Sequence, residues 1–338
     1  MNDRAVGLLE QYDIEVLRTR KGRGAILCDT REGCLILKEY TGNEDRLVMQ
    51  DKVLKNIKEH IALEESDGVK GSRSMQAELI IPTKEGLLAV KDGDGVKYIL
   101  KTYCEGRECN IHDRTECVEI MKLLAYLHKS MRLPADTEGL PPIFSPEKEY
   151  EKRNRELKKV RRYLQQRSQK TWFEIKLLQC FDYFLEQAFL VTKEWSRYQE
   201  RLGLQENNTF CHGDYQYHNI FRCEEQWFIS NFEKCIPDSP VRDIYLILRK
   251  LLEKSNWSIH LGKDLLTAYE QERELSAINR IDLYYRLAYP EKFWKIVNFY
   301  YNSRKAWIPE RNQEKLEKLM EQEKEKQRFL SEVFCKLG

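Results

Sequence analysis

The chain has 338 residues, 41% of them hydrophobic and 11% aromatic, so it can bury one large core or two smaller ones. This composition argues against wholesale disorder. The net charge is only +2 although 33% of the residues are charged, which argues against general nucleic-acid binding, because that function needs a basic surplus.

The first hundred residues predict a strand-rich region that contains one helix. Short runs of branched residues, separated by turn residues, predict strands over 14–20, 25–30, 34–40, 79–82, 87–93 and 96–103. Leucines and isoleucines at helical spacing predict a helix from about Glu44 to Leu63. The stretch KGRG at 21–24 fits either a bare turn or a glycine-rich cover for phosphate.

After Tyr103 the pattern becomes mainly helical. Helical patterns cover 117–130, 147–202 and the chain from Asp243 to an amphipathic helix at 311–334, and a strand-containing insert lies at 212–233. Strands followed by helices predict the α+β class, with an N-terminal lobe over 1–103 and a C-terminal helical lobe over 104–338. A cleft between two such lobes is a usual place for a ligand.

The cysteines and the amino terminus bear on the compartment. The ten cysteines are scattered and none forms a CxxC pair, which predicts reduced thiols and no zinc site. No export signal begins the chain and no run of about 18 apolar residues occurs in it. We therefore expect synthesis in the cytoplasm and no membrane insertion.

The stretch CHGDYQYHN at 211–219 carries residues suited to chemistry. Asp214 and Asn219 are five residues apart, so one loop can turn both side chains toward one site. An aspartate can accept a proton from an attacking hydroxyl, and an asparagine carbonyl can help to hold Mg²⁺ on phosphate. The same pattern also fits a polar loop in which His212 and Asp214 only satisfy backbone groups.

Further candidate residues fit around that loop. The run WFISNF at 227–232 predicts a strand whose end would bring Asn231 and Glu233 beside the loop. Asp243 stands near the start of an apolar helix, where an acid interacts favourably with the helix dipole. Lys38 shares a strand face with apolar residues, from which its ammonium group can reach phosphate or extend to water.

These segments resemble the aminoglycoside phosphotransferase/choline kinase branch of the protein-kinase-like fold, and within it the CotS family of bacterial spore-coat proteins. The matching segments are LILKEY (35–40), YILKTYCEGREC (98–109), LLAYLH (123–128), CHGDYQYHNI (211–220) and NFEKCIPDSPVRDIYLILRK (231–250). They follow the family's order over nearly the whole chain. The resemblance implies a bilobal kinase-like fold, ATP and Mg²⁺ as cofactors, and a small-molecule substrate that the sequence does not identify.

The resemblance also implies roles for individual residues. Asp214 matches the catalytic base and Asn219 matches a metal ligand. Lys38 matches the lysine that contacts phosphate, and Tyr103 and Cys104 match the hinge that meets adenine.

Two further matches concern the support of that loop. Asp243 matches a buried structural aspartate that braces the catalytic loop, and His212 is its structural neighbour. The helix acid that would pair with Lys38 is not evident, because the local sequence offers Glu44, Gln50 and Asp51.

The sequence departs from the family at Asn231, where the principal metal-binding aspartate belongs. Mg²⁺ prefers charged oxygens, and losing one preorganised electrostatic group typically costs about 10²–10³ in rate. Glu233 lies where some relatives carry a second acid, which would restore part of the metal binding.

Two functions therefore stay open. The first is a kinase-fold protein with impaired or absent catalysis and weak or absent ATP and Mg²⁺ binding. It would be made in the mother cell's cytoplasm and act by binding other spore-coat proteins. The second is an active ATP- and Mg²⁺-dependent kinase of a small molecule or a coat protein, with Asp214 as base and Glu233 as metal ligand.

Overall fold

The computed structural model of the chain describes residues 3–22, 24–66, 75–133, 146–202, 209–302 and 310–335. In these ranges the helices are α1 (Glu44–Ser66), α2 (Arg114–Ser130), α3 (Pro146–Gln166), α4 (Trp172–Leu202), α5 (Val241–Lys254), α6 (Ile259–Glu270), α7 (Ala277–Ala288), α8 (Glu291–Asn302) and α9 (Glu310–Val333). The strands are β1 (Val16–Gly22), β2 (Ala25–Thr30), β3 (Gly33–Glu39), β4 (Met75–Ala77), β5 (Ile80–Ile81), β6 (Val90–Lys91), β7 (Lys97–Tyr103), β8 (Arg107–Glu108), β9 (Phe210–Cys211), β10 (Ile220–Cys223), β11 (Gln226–Ile229) and β12 (Ile236–Pro237).

The largest sheet has the strand order β1-β2-β3-β7-β5, with β6 also paired to β7. All its strand pairs are antiparallel, as expected for short strands joined by tight turns. The predicted strand over 87–93 shrinks to Val90–Lys91, because DGDG closes the turn immediately after it. Lys38 stands on β3 opposite Ile99 of β7, and this register fixes the direction of its side chain.

A second sheet joins distant parts of the sequence in the order β4-β11-β10-β8. The β10–β11 hairpin is the insert predicted from the sequence, and it pairs Ile220 with Ile229. Strand β4, which the sequence did not predict, lies parallel to β11 and brings Ala77 opposite Ile229. A two-stranded sheet pairs β9, which directly precedes His212, with β12.

The core beneath the large sheet includes residues before the first predicted strand. A 3₁₀ helix, Asp3–Gln11, supplies apolar side chains that are buried against the sheet. This cluster comprises Leu8, Leu9, Tyr12, Ile26, Cys28, Leu35, Leu37, Val90, Tyr98 and Leu100. Alternation along β2, β3 and β7 places these apolar residues on one face of the sheet.

The helical region predicted over 147–202 is divided into α3 and α4. The division lies at Thr171, whose hydroxyl accepts a hydrogen bond from Glu174 N at 3.3 Å. The Glu174 carboxylate in turn accepts from Thr171 N at 2.6 Å, which completes a capping box. The sequence TWFE contains this capping signal for the start of α4. It was missed because the charged and apolar residues on both sides of it continue one helical pattern.

The described residues divide into two compact units by the density of their contacts. The first comprises residues within 1–142, 206–247 and 271–273, and the second comprises those within 143–205, 248–270 and 274–338. All the strands named above belong to the first unit. The predicted lobe boundary between 103 and 104 stays a prediction. In the described ranges no helix is both long and apolar enough to cross a membrane.

The second unit is built around aromatic packing between helices. The rings of Tyr150 and Tyr289 stack with their centroids 4.0 Å apart, and Tyr289 donates to Asn154 Oδ1 at 3.0 Å. Asn154 Nδ2 donates to Thr192 Oγ1 at 2.9 Å, so this buried amide connects α3 to α4 and to Tyr289 at the end of α7.

Candidate functional site

The turn after β11 presents Asn231 in an unusual backbone conformation. Its φ of 70° and ψ of 50° are left-handed, and a 3₁₀ turn, Phe232–Lys234, follows it. Asparagine tolerates this region better than most side chains do, so the residue type suits the turn. The conformation directs the Asn231 side chain and Glu233 toward one side of the loop that carries Asp214.

Asn231 connects the lysine of β3 to the HGD loop. Lys38 Nζ donates to Asn231 Oδ1 at 3.4 Å and to Glu233 Oε1 at 2.7 Å. Asn231 Nδ2 faces Asp214 Oδ2 at 3.2 Å and Asn219 Oδ1 at 3.5 Å. The structure therefore brings all five of these predicted residues together in one hydrogen-bonded network within the first compact unit. Their chemical roles stay predictions.

Asp214 has further partners in the same loop region. Lys234 Nζ donates to Asp214 Oδ2 at 3.0 Å, although 61% of the lysine side chain is exposed, so this ion pair is weak. Asn219 Nδ2 donates to the Asp214 backbone carbonyl at 2.8 Å and closes the loop. The carboxylate predicted to act as a base thus accepts from both an ammonium and an amide group.

A buried pair that sequence reasoning missed supports this network. Lys101 Nζ on β7 lies 3.0 Å from Glu78 Oε2, and each side chain is only 4% exposed. Glu78 also accepts from the backbone N–H groups of Asn231 at 2.8 Å and Phe232 at 2.9 Å. The available signal was a charged residue within each of the apolar runs AELIIP and YILKTY.

The charges of this buried pair reinforce each other. Burial alone would raise the pKa of Glu78, but the Lys101 ammonium and the two backbone N–H groups outweigh it and lower that pKa. Burial would likewise lower the pKa of Lys101, but Glu78 and Glu233 raise it. Both groups are therefore charged at neutral pH.

The acid that pairs with Lys38 is Glu233 and not a residue of α1. Asp51 accepts instead from Lys55 at 2.6 Å, and Glu44 from Lys97 at 3.0 Å. The acid sought on the helix is thus replaced by one from the turn after β11.

Beneath the loop, Asp243 accepts three hydrogen bonds in a fully buried position. Its donors are His212 N at 2.5 Å, Gly213 N at 2.8 Å and the His128 ring nitrogen Nε2 at 3.2 Å. Gly213 has a φ of +76°, and a Cβ there would lie 2.1 Å from the carbonyl oxygen of Lys234, so this position requires glycine. His212 and Asp243 thus lie where a structural support for the loop would be.

The His212 ring adds a second link between the loop and β11. Nε2 donates to the carbonyl oxygen of Ser230 at 2.9 Å, and Nδ1 accepts from Asp214 N at 3.1 Å. These partners require the neutral tautomer with its proton on Nε2. Protonation of Nδ1 would remove an acceptor from the backbone of the candidate base.

Stability is expected to fall as the pH drops from 7 to 5. Burial lowers the pKa of both His128 and His212, so the unfolded chain takes up protons first, below about pH 6.5. Each histidine then contributes a slope of up to about 1.4 kcal/mol per pH unit, and its stabilisation is lost as the pH falls toward its folded-state pKa. Urea unfolding between pH 5 and 7.5 measures this slope. A free energy of unfolding that stays level or increases toward pH 5 would contradict it.

Tyr103 and Cys104 lie at the end of β7 and, among the contacts of the described residues, do not join the network. The Tyr103 ring meets Phe221 edge-on at 6.1 Å between centroids. Cys104 forms a disulfide with Cys223, so the expectation of reduced thiols is wrong for this pair, while the other eight cysteines are free. A role of Tyr103 and Cys104 in binding adenine stays a prediction.

The disulfide escaped prediction because its cysteines are 119 residues apart in sequence. Pairing of β8 with β10 brings them together, and Gly106 permits the approach, since a Cβ there would lie 2.4 Å from the Arg222 carbonyl oxygen.

At the KGRG hairpin Gly22 pairs with Ala25, but Arg23 lies outside the described residues, so a phosphate-covering role stays a prediction.

The oxygens that would hold Mg²⁺ already accept hydrogen bonds from nitrogen. Asn231 Oδ1 accepts from Lys38, and Asn219 Oδ1 faces the Asn231 amide. Glu233 Oε1 lies within 3.4 Å of two ammonium groups, those of Lys38 and Lys101. These three oxygens therefore do not fit a divalent cation unless their nitrogen donors move away.

Comparison with known sequences relates the chain to spore-coat proteins. A family model described as "Spore coat putative kinase YutH" matches residues 8–333. The chain is also similar to spore coat protein S of Bacillus subtilis (strain 168), with 28% identity over 130 residues. That alignment covers 38% of this chain and 37% of the relative's own length.

Comparison with solved structures concerns the fold. The structure is similar to an aminoglycoside phosphotransferase from Alicyclobacillus acidocaldarius subsp. acidocaldarius DSM 446, with a TM-score of 0.77, 16% identity and coverage of 97% of this chain and 95% of that one. Amicoumacin kinase hAmiN gives a TM-score of 0.60 at 12% identity, covering 97% and 94% of the two chains. Spectinomycin phosphotransferase APH(9)-Ia gives 0.57 at 15% identity, covering 94% and 92%. These likenesses confirm the predicted aminoglycoside phosphotransferase-like kinase fold, with a strand-rich N-terminal and a mostly helical C-terminal region.

Proposed function

The chain belongs to the spore coat kinase family whose model spans residues 8–333, and from this premise we propose a coat-associated protein whose phosphotransferase activity is impaired or absent. It would be made in the mother cell's cytoplasm and deposited on the forespore, where it binds other coat proteins. Its similarity to spore coat protein S of Bacillus subtilis supports this location.

The observation that carries the proposal is the position of Asn231. Its amide group lies between Lys38 and Asp214, with Oδ1 toward the ammonium group and Nδ2 toward the carboxylate. A carboxylate in its place would supply negative charge to a divalent cation, whereas the amide presents N–H donors to the neighbouring acid. Phosphoryl transfer relies on a metal ion to neutralise developing charge, so this change acts directly on the chemical step.

Lysine side chains near Asn231 also disfavour binding of a divalent cation. Glu78, Asp214 and Glu233 each accept from a lysine ammonium, at distances of 3.1, 3.0 and 2.7 Å. The carboxylates near Asn231 therefore each have an ammonium partner, although the exposed Lys234 is a weak one for Asp214. A cation that bound the oxygens in these contacts would compete with the ammonium groups, which lowers its net affinity.

An active ATP- and Mg²⁺-dependent kinase is the second candidate. The observation in its favour is that Lys38, Asp214 and Asn219 are all present and brought together around one turn. In this case Asp214 would accept the proton of the substrate hydroxyl. Glu233 would give up its contact with Lys38 and supply a charged oxygen ligand for Mg²⁺. The substrate would be a small molecule or a coat protein.

Thermal-shift titration with ATP, in Mg²⁺ or in EDTA, separates the two candidates. We expect no Mg²⁺-dependent rise in the melting temperature at millimolar ATP. A ligand at a hundred times its Kd would stabilise the protein by about 2.7 kcal/mol, which such a scan resolves easily. A shift seen only with Mg²⁺, together with ATP turnover that Asp214→Asn abolishes, would instead establish the active kinase.

A further inference from the structure

The pair formed by Glu78 and Lys101 is unusual because both charged side chains lie inside the protein. Each residue is 3% exposed, and the Lys101 ammonium lies 3.1 and 3.0 Å from the two carboxylate oxygens of Glu78. The cost of removing two charges from water offsets much of their attraction, so such a pair is weak support for a purely stabilising role. Its contacts indicate what it does instead.

Glu78 holds the backbone of the turn that carries Asn231. Its Oε2 accepts from Asn231 N at 2.8 Å and its Oε1 from Phe232 N at 2.9 Å. The backbone N–H of Glu78 itself donates to the Ile229 carbonyl at 2.9 Å, on the strand that leads into the turn. Glu78 therefore binds the backbone both just before the turn and within it, where Asn231 adopts its left-handed conformation.

Lys101 extends the same connection to the side chains of the site. Its ammonium group lies 3.4 Å from Glu233 Oε1, the atom that accepts from Lys38 at 2.7 Å. A continuous series of contacts thus runs from Glu78 through Lys101 and Glu233 to Lys38. No residue of α1 takes part in these contacts, and two acids of that helix, Glu44 and Asp51, bind other lysines.

We propose that Glu78 and Lys101 are the positioning residues of this site, and that they hold in place Glu233, the acid that pairs with Lys38. Glu78 sets the backbone of Asn231 and Phe232, and Lys101 sets Glu233 and, through it, Lys38. The assignment rests on the proposed function only in treating Asn231 and Glu233 as the residues that face a ligand. The geometry of the turn is independent of that function.

Hydrogen exchange of the backbone amides of Asn231 and Phe232, followed by NMR without nucleotide, tests the assignment. In Glu78→Gln one acceptor oxygen becomes an NH₂ group that cannot accept, and the charge is lost. We expect exchange at these two amides to become about 10- to 100-fold faster, because hydrogen bonds to a charged acceptor are replaced by weaker ones. Lys101→Met should have the same direction of effect, and the double variant should add little to either single change.

Glu174→Gln is the matched control. Glu174 is also a buried carboxylate, 1% exposed, that accepts from a backbone N–H, but it lies in the second compact unit. It should reduce global stability and leave exchange at Asn231 and Phe232 unchanged after correction for that loss. If Glu78→Gln and Glu174→Gln accelerated exchange at Asn231 and Phe232 equally, Glu78 would have only a general structural role and the proposal would be wrong.

The unmodified protein gives a second test that does not depend on whether the variants fold. Its Asn231 and Phe232 amides should exchange about as slowly as those of β11, although neither residue belongs to a strand. Exchange as fast as at the exposed turn residues Glu224 and Glu225 would overturn the proposal. An ATP titration with Mg²⁺ on the same sample reports separately on the proposed function, so either idea can fail while the other stands.

Discussion

Replacing Asp243 by alanine is expected to lower the free energy of unfolding by about 3–5 kcal/mol, because several buried donors lose their acceptor at about 1–3 kcal/mol each. The change leaves the backbone N–H groups of His212 and Gly213 without their acceptor, together with the His128 ring. Burial alone would raise the pKa of Asp243, but hydrogen bonds from His128 and the loop lower it, so the charged carboxylate is the form that these donors stabilise. Urea unfolding monitored by circular dichroism measures the loss.

Glu225→Ala provides the control for that measurement. The Glu225 side chain is 97% exposed at the tip of the β10–β11 hairpin, and its loss should change stability by no more than about 0.5 kcal/mol. If Asp243→Ala were as mild as this control, the loop would hold its shape without the buried carboxylate. The support assigned to Asp243 would then be wrong.

Replacing Asn231 by aspartate is expected to strengthen Mg²⁺-dependent ATP binding by about 5–30-fold, or about 1–2 kcal/mol, since charge-assisted contacts are roughly twice as strong as neutral ones. The new carboxylate would lie about where the amide nitrogen now donates to Asp214 at 3.2 Å. Without a cation the two acids repel each other, so the gain should vanish in EDTA. Isothermal titration with ATP and with a non-hydrolysable analogue, with and without Mg²⁺, measures both effects.

Two further variants make this result specific. Asn302→Asp adds the same charge at an exposed position in the second compact unit and should leave ATP affinity unchanged. In a Glu233→Gln background the gain from Asn231→Asp should shrink, because the second acid is gone. An unchanged affinity in a folded Asn231→Asp protein would mean that more than one residue prevents metal binding.

Local geometry made part of the candidate site predictable from the sequence. Alternation along β3 sets the direction of Lys38, and one loop with its hairpin carries Asp214, Asn219 and Asn231. The loop and hairpin constraints act over a few residues, whereas Lys38 meets Asn231 across 193 residues and was assigned to the site by the family resemblance. The position of Asp243 near the start of α5 was accessible from the local pattern as well.

The missed contacts form between segments that are far apart in sequence. Glu78 meets Asn231 across 153 residues, and its carboxylate gives no periodic signal in a run of apolar residues. Cys104 and Cys223 meet only because β8 pairs with β10. Pairing partners of short strands are decided by tertiary packing, which a single sequence does not record.

The parallel pairing of β4 with β11 has a consequence for how the protein is made. Phe232 follows Glu78 by 154 residues, so a ribosome working at about 5–20 residues per second adds it roughly 8–30 s later. During that interval the carboxylate of Glu78 and the edge of β4 lack the partners that they have in the finished chain. The nascent N-terminal segment therefore cannot complete the β4 pairing of the finished chain before the β10–β11 hairpin has been made.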